Sequence, residues 1–81
     1  MTNTTKTLHR IVLAIRMPER DVMRNCVETA FSLEDARRLA AAQAKIVLDD
    51  MEHPERASIE IVTGGRGRET VVETLSCAAE A

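Results

Sequence analysis

The sequence is almost without aromatic side chains: Phe31 is its one phenylalanine, and it has no tryptophan or tyrosine. Proteins that bind single-stranded nucleic acids, sugars or flavins commonly stack the ligand on aromatic rings. We therefore expect no stacking site of this kind.

Long apolar runs are also missing. A membrane-spanning helix needs about 18 or more consecutive apolar residues, and no such run occurs. The apolar stretch at residues 11–15 is too short for the core of a secretory signal. The sequence therefore predicts a cytoplasmic protein that does not contact a membrane.

Ligands for metals are scarce. The two cysteines, Cys26 and Cys77, are far apart in the chain, and neither His9 nor His53 has a metal-binding companion at helical spacing. We expect no metal site and no cofactor. In a reducing cytoplasm both thiols should be free, with Cys26 as a small buried strand residue and Cys77 in the C-terminal tail.

The chain has 81 residues and a net charge of −2. This length corresponds to one domain, and so small a net charge indicates no charged partner by itself. We predict a disordered polar N-terminus at residues 1–6, a single domain at 7–76 and a loose tail at 77–81.

Alternation of apolar and polar residues predicts a first β-hairpin. Residues 8–17 form one strand, the turn chemistry of residues 18–21 follows, and a second strand covers about residues 24–31. In the first strand the two faces are Ile11, Leu13, Ile15 and Met17 on one side, and Arg10, Val12, Ala14 and Arg16 on the other. In the second strand we expect Val27, Thr29 and Phe31 to share a face.

A helix should follow at Ser32, which is suited to cap it, with Asp35 three residues later as in a capping box. His53 and Pro54 should end it. Its apolar stripe is predicted to be Leu33, Ala36, Ala40, Ala44, Val47, Leu48 and Met51. Leu39 and Ile46 lie outside that stripe, either at the edge of the core or in contact with another chain.

A second hairpin completes the fold. Residues 57–63 alternate with Ile59 and Ile61 inward, residues 64–67 are rich in glycine, and residues 68–75 form the return strand. We predict an α+β fold in which a four-stranded, mainly antiparallel sheet of order ββαββ carries one amphipathic helix on one face.

No arrangement of residues indicates catalysis. The glycines at 64–67 join two strands, whereas a phosphate-binding loop needs a strand before it and a helix after it. Neither histidine is paired with a nucleophile at a recognisable spacing. We expect no catalytic residue and no enzymatic activity.

Two kinds of partner remain. The favoured prediction is protein–protein contact, as a homodimer or with another protein, through the second sheet face or the helix flank. The candidate interface residues are Val12, Ala14, Leu39, Ile46, Val62 and Val72. The alternative is a small regulator that binds nucleic acid, although neighbouring glutamates dilute its positive charge. Its candidate contacts are Arg10, Arg16, Arg20, Arg24, Arg66 and Arg68.

Over about residues 28–75 the chain resembles a family of short bacterial proteins of unknown function. The likeness lies in the acidic start of the helix at residues 33–37, its spaced alanines, the strand at 59–61, the glycine turn and the closing valine strand. The family has an aromatic pair where this chain has Ile11 and Val12, and an Asp-rich turn where this chain has residues 64–67. A weaker resemblance is to HicB-type antitoxin domains, which bind a toxin. Neither resemblance implies a catalytic residue.

Overall fold

The computed structural model describes residues 7–19, 21–65 and 67–77. Four strands and one helix follow in the predicted order: β1 (His9–Arg16), β2 (Val22–Ala30), α1 (Leu33–Asp50), β3 (Ala57–Thr63) and β4 (Thr70–Ser76), with a 3-10 turn at Pro54–Arg56. The strands are antiparallel and lie in the order β2-β1-β3-β4. The predicted α+β fold is confirmed. The expected disordered segment 1–6 lies outside the described residues.

The start of α1 is the predicted one. The Ser32 hydroxyl accepts a hydrogen bond from the Asp35 N–H at 3.1 Å, and the first-turn acids Glu34 and Asp35 suit the positive end of the helix dipole. The end is earlier than predicted, because Met51 already has an extended backbone. The last turn has no basic residue and contains Asp49 and Asp50, whose charges oppose the helix dipole there.

The core lies between α1 and the two central strands. Ala36, Ala40 and Val47 are buried on the helix, against fully buried Ile11, Ile59 and Ile61 of the sheet. Alanine has no side chain beyond Cβ, so the helix packs close to the isoleucines. One stripe residue was predicted wrongly: Leu48 is exposed, and Leu39 packs against the core instead.

A β-bulge changes the second strand from its predicted form. Between the pairs Ile11–Glu28 and Val12–Cys26 the register shifts by one residue, which leaves Val27 extra. A bulge reverses the alternation beyond it. Val27 therefore packs against the core, whereas Thr29 pairs with Arg10 on the other face. The prediction that Val27, Thr29 and Phe31 share a face was wrong, and Phe31 lies beyond the strand and is exposed.

The two cysteines have the reverse of their predicted environments. Cys77 is fully buried, and its N–H donates to the Ala57 carbonyl at 3.2 Å, so it belongs to the core. Cys77 lies two residues after Leu75, which also packs against the core, so strand alternation carries its side chain inward. Cys26 is exposed on β2. Burial raises the pKa of the Cys77 thiol.

We expect a thiol reagent to distinguish the two cysteines. In native protein at pH 8, Cys26 should react within seconds, while Cys77 reacts only through opening of the fold, because it is buried and its raised pKa lowers the thiolate fraction. Absorbance assays should count one fast thiol per chain in buffer and two in denaturant. Cys26→Ser should leave no fast thiol, and a fast reaction in that variant would contradict the burial of Cys77.

The β3–β4 turn depends on glycine at two positions. Gly64 has φ +101° and Gly67 has φ +82°, a region that side chains with a Cβ rarely adopt. A Cβ on Gly64 would also lie 2.2 Å from the Arg68 carbonyl oxygen, whereas one on Gly65 would meet nothing within 4 Å. The three glycines of the turn therefore differ in what they tolerate.

Alanine substitutions should separate these constraints. Gly64→Ala combines backbone strain with a backbone collision and should lower the free energy of unfolding by about 2–3 kcal/mol. Gly67→Ala adds the strain alone, about 1 kcal/mol. Gly65→Ala is the matched control, with almost no effect. Urea unfolding followed by circular dichroism measures all three, and equal losses at Gly64 and Gly65 would contradict the turn geometry.

Candidate functional site

One face of the sheet has no helix over it, and we call it the open face. Cross-strand partners share a face, so its residues follow from the strand register. Read from β2 to β4, its rows are Thr29–Arg10–Val62–Val71, Cys26–Val12–Glu60–Thr74 and Arg24–Ala14–Ser58–Ser76, followed by the pair Val22–Arg16.

Arg10 covers the first row. Its guanidinium donates to the Gly64 carbonyl at 2.7 Å and forms an ion pair with Glu69 at 2.7 Å. Both partners lie in the turn that joins β3 to β4, so the side chain extends from β1 over the end of β3. Val62, opposite Arg10 on β3, is only 3% exposed although no helix lies above it.

Arg24 crosses the sheet in the same way. It forms an ion pair with Glu60, and because β1 lies between β2 and β3, the two side chains together bridge two strand spacings, about 10 Å. Ala14, which pairs with Arg24 on β1, is 4% exposed, and the Glu60 side chain is only 16% exposed. The two arginines thus cover part of the apolar surface of the open face.

These ion pairs affect both sets of predicted site residues. Among the candidate interface residues on the sheet, Ala14 and Val62 have almost no surface for a partner, Val12 is half-buried, and Val72 is exposed on β4. Among the candidate nucleic-acid contacts, Arg10 and Arg24 are neutralised by glutamates. Within the described chain, Arg16 and Arg68 are exposed and have no ion pair, while Arg20 and Arg66 lie outside the described residues.

Exposed apolar side chains also occur along β2. This strand is at one edge of the sheet, has nine residues and is exposed except at Val27 and Ala30. Val22 is 49% exposed and Met23 is 46% exposed. Edge strands are commonly protected by proline, charged side chains or bulges. β2 has no proline or lysine; its protecting features are Arg24, Glu28 and the bulge at Val27.

The flank of α1 nearest β2 is apolar as well. On the opposite flank of α1, Arg37 forms an ion pair with Glu73 of β4, so that flank faces β4. Residues in an α-helix are rotated by about 100° each, so Ile46 lies about 180° around the helix from Arg37, and Leu39 about 160°. Both therefore face β2. Leu39 packs against the core, and Ile46 is 49% exposed.

Together these residues form what we call the edge surface: Met23 and Val27 of β2 with Leu39 and Ile46 of α1. Met23 pairs with Ile15, which packs against the core, so Met23 is on the helix side of the sheet. All four residues thus lie on the same side of the sheet, next to its free edge. Periodicity had identified Leu39 and Ile46, whereas nothing in the sequence pattern had indicated Met23.

Other functional features are few in the described part of the chain. It has no group of three or more side chains suited to a metal ion and no helix long and apolar enough to cross a membrane. Comparison with protein-family models, curated proteins and solved structures found no match to this chain. The resemblances to short bacterial proteins and to HicB-type domains therefore stay predictions.

The Arg24–Glu60 pair should contribute measurably to stability. Glu60 is mostly buried, so its interaction with Arg24 is less screened by water than an exposed pair. A double-mutant cycle with Arg24→Ala and Glu60→Ala should give a coupling free energy of about 1 kcal/mol in urea unfolding. The control pair is Arg38 and Asp35, both largely exposed, with an expected coupling below about 0.5 kcal/mol. Equal coupling energies would contradict the role of Arg24 in covering the sheet.

Proposed function

We propose that this chain is a small, non-enzymatic cytoplasmic protein that acts by protein–protein contact as a homodimer, formed through the edge surface. The observation that carries the proposal is the exposure of Met23 and Ile46 beside an uncovered strand edge. Apolar side chains in that position lose contact with water when a second strand is added. The free thiols of Cys26 and Cys77 support a reducing compartment.

A second copy of the chain suits this edge. The outer side of β2 has no strand beside it in the described structure, so its outward backbone groups are open to pairing. A two-fold axis beside β2 would place the identical strand antiparallel to it and create one continuous eight-stranded sheet. Such an interface is isologous: each contact occurs twice.

The pairing register follows from charge and from the two faces. In an antiparallel pair, directly opposed residues lie on the same face of the sheet. The two-fold axis must therefore pass through one residue of β2 and its copy, not between two residues. An axis at Arg24 would place Met23 opposite a polar asparagine, the partner's Asn25, on the helix side of the sheet. An axis at Asn25 places the two asparagines opposite each other and brings Met23 against the partner's Val27 on the helix side. The second register therefore combines an apolar pair with no like-charge contact.

The helices support the same arrangement. A two-fold axis perpendicular to the sheet keeps both copies of α1 on one face, and the flank with Leu39 and Ile46 faces β2 in each copy. The two flanks would then approach each other above the paired edges. Ile46 and Met23, both exposed in the single chain, would become buried in the same interface.

Light scattering during size-exclusion chromatography tests the homodimer. The wild type should have a mass of about 18 kDa, twice the 9.0 kDa chain. Ile46→Glu and Met23→Glu should each give about 9 kDa, because they place a charge inside the apolar interface. The matched control is Leu48→Glu, an exposed leucine about 160° from Ile46 on the same helix, which should remain a dimer. Circular dichroism checks that every variant is folded.

Other results would redirect or remove the proposal. A wild-type mass of 9 kDa up to millimolar concentration would overturn the homodimer. Dissociation caused by Val12→Arg, with Ile46→Glu still dimeric, would place the interface on the open face. Binding of a DNA or RNA duplex that weakens steeply with salt, and that needs the unpaired Arg16 and Arg68, would favour the nucleic-acid alternative.

A further inference from the structure

A cavity opens at the end of the open face where β1 ends and β3 begins. Its volume is about 250 Å³. The floor consists of three small residues of one row, Ala14, Ser58 and Ser76, which leave space where larger side chains would fill it. Two arginines, Arg16 and Arg56, are part of its wall.

The strand register ends one position before these arginines. Ile15 pairs with Ala57, after which Arg16 closes β1 and Arg56 belongs to the 3-10 turn before β3. Both side chains line the cavity, so two cations lie at the same end of the open face.

Neither arginine forms an ion pair within the described chain, although Arg56 interacts electrostatically with its neighbour Glu55. Four other arginines have acidic partners at ion-pair distance: Arg10, Arg24, Arg37 and Arg38. Two glutamates are also part of the cavity wall. Glu60 binds Arg24, and Glu55 lies 3.2 Å from the Nδ1 of His53. Arg16 is thus the more available of the two cations that line this cavity.

We propose that this cavity binds a phosphate group, either as inorganic phosphate or as the phosphate of a small-molecule monoester. A guanidinium carries five N–H donors in a planar fork that matches two phosphate oxygens, and two such forks suit a tetrahedral oxyanion. The Ser58 hydroxyl on the floor is a further donor. The cavity is separate from the edge surface, so this inference does not rest on the homodimer.

The test is an NMR titration with inorganic phosphate at constant ionic strength, maintained with chloride. The amide of Ser58 and the Nε–H groups of Arg16 and Arg56 should shift along one binding curve. Arg16→Gln and Arg56→Gln should each weaken phosphate binding about tenfold, the equivalent of about 1.4 kcal/mol for one charge-assisted contact. The matched control, Arg68→Gln, removes an exposed arginine without an ion pair outside the cavity and should leave the affinity unchanged.

A second measurement, urea unfolding, checks that a loss of phosphate binding is not caused by loss of the fold. In phosphate-free buffer, Arg16→Gln should unfold at the same urea concentration as wild type, because Arg16 is exposed and forms no ion pair within the described chain. Tighter binding of glycerol 3-phosphate than of inorganic phosphate would identify a monoester as the ligand, and equal or weaker binding would identify free phosphate. Equal losses in Arg16→Gln and Arg68→Gln, or equal shifts with acetate, would overturn the phosphate site.

Discussion

The close contact between the alanine face of α1 and the isoleucines of β1 and β3 is the constraint on which the other features depend. Ala36 and Ala40 bring the helix axis near the sheet, and Ile11, Ile59 and Ile61 are fully buried beneath it. A single helix is about 10 Å wide, whereas four strands span about 14 Å between their outer axes. A helix centred on the middle strands therefore leaves the sheet edges thinly covered. The exposure of Met23 and Ile46 follows from that geometry.

The open face of the sheet also has no covering layer, and arginine side chains cover part of it. With no second layer, Arg10 and Arg24 extend along the sheet to Glu69 and Glu60. Their direct cross-strand partners, Val62 and Ala14, are buried, as expected where aliphatic stems cover small apolar side chains. Such cover is polar on its outer surface, so the face does not attract apolar partners as a bare valine face does. The arginines therefore fall into two groups. Those that cover the sheet form ion pairs with glutamates, whereas Arg16 and Arg56 at its end form none with the described residues.

The sequence pattern predicted those features of the fold that are determined by residues close together in the chain. Ser32 caps α1 because a hydroxyl satisfies a free N–H within three residues, and β3 has the predicted bounds because apolar and polar residues alternate over most of its length. The errors arose where distant residues decide. The bulge at Val27 depends on pairing with β1, Cys77 is buried because β4 continues beside α1, and Leu48 is exposed because the ion pair of Arg37 with Glu73 fixes the rotation of the helix. The Arg24–Glu60 contact joins residues 36 positions apart, and no local signal indicates it.

Arg24 connects the cover of the open face to the exposure of β2. It is the one cation on this strand, and a charged side chain on an edge normally discourages another strand from pairing there. Here the guanidinium is directed inward across β1 to Glu60, away from the free edge. The same ion pair that covers Ala14 thus draws the positive charge away from the edge and leaves Glu28 as the charged side chain that protects the strand. Arg24 therefore covers one face of the sheet but protects its edge less. A second copy of β2 would supply the strand that this edge lacks.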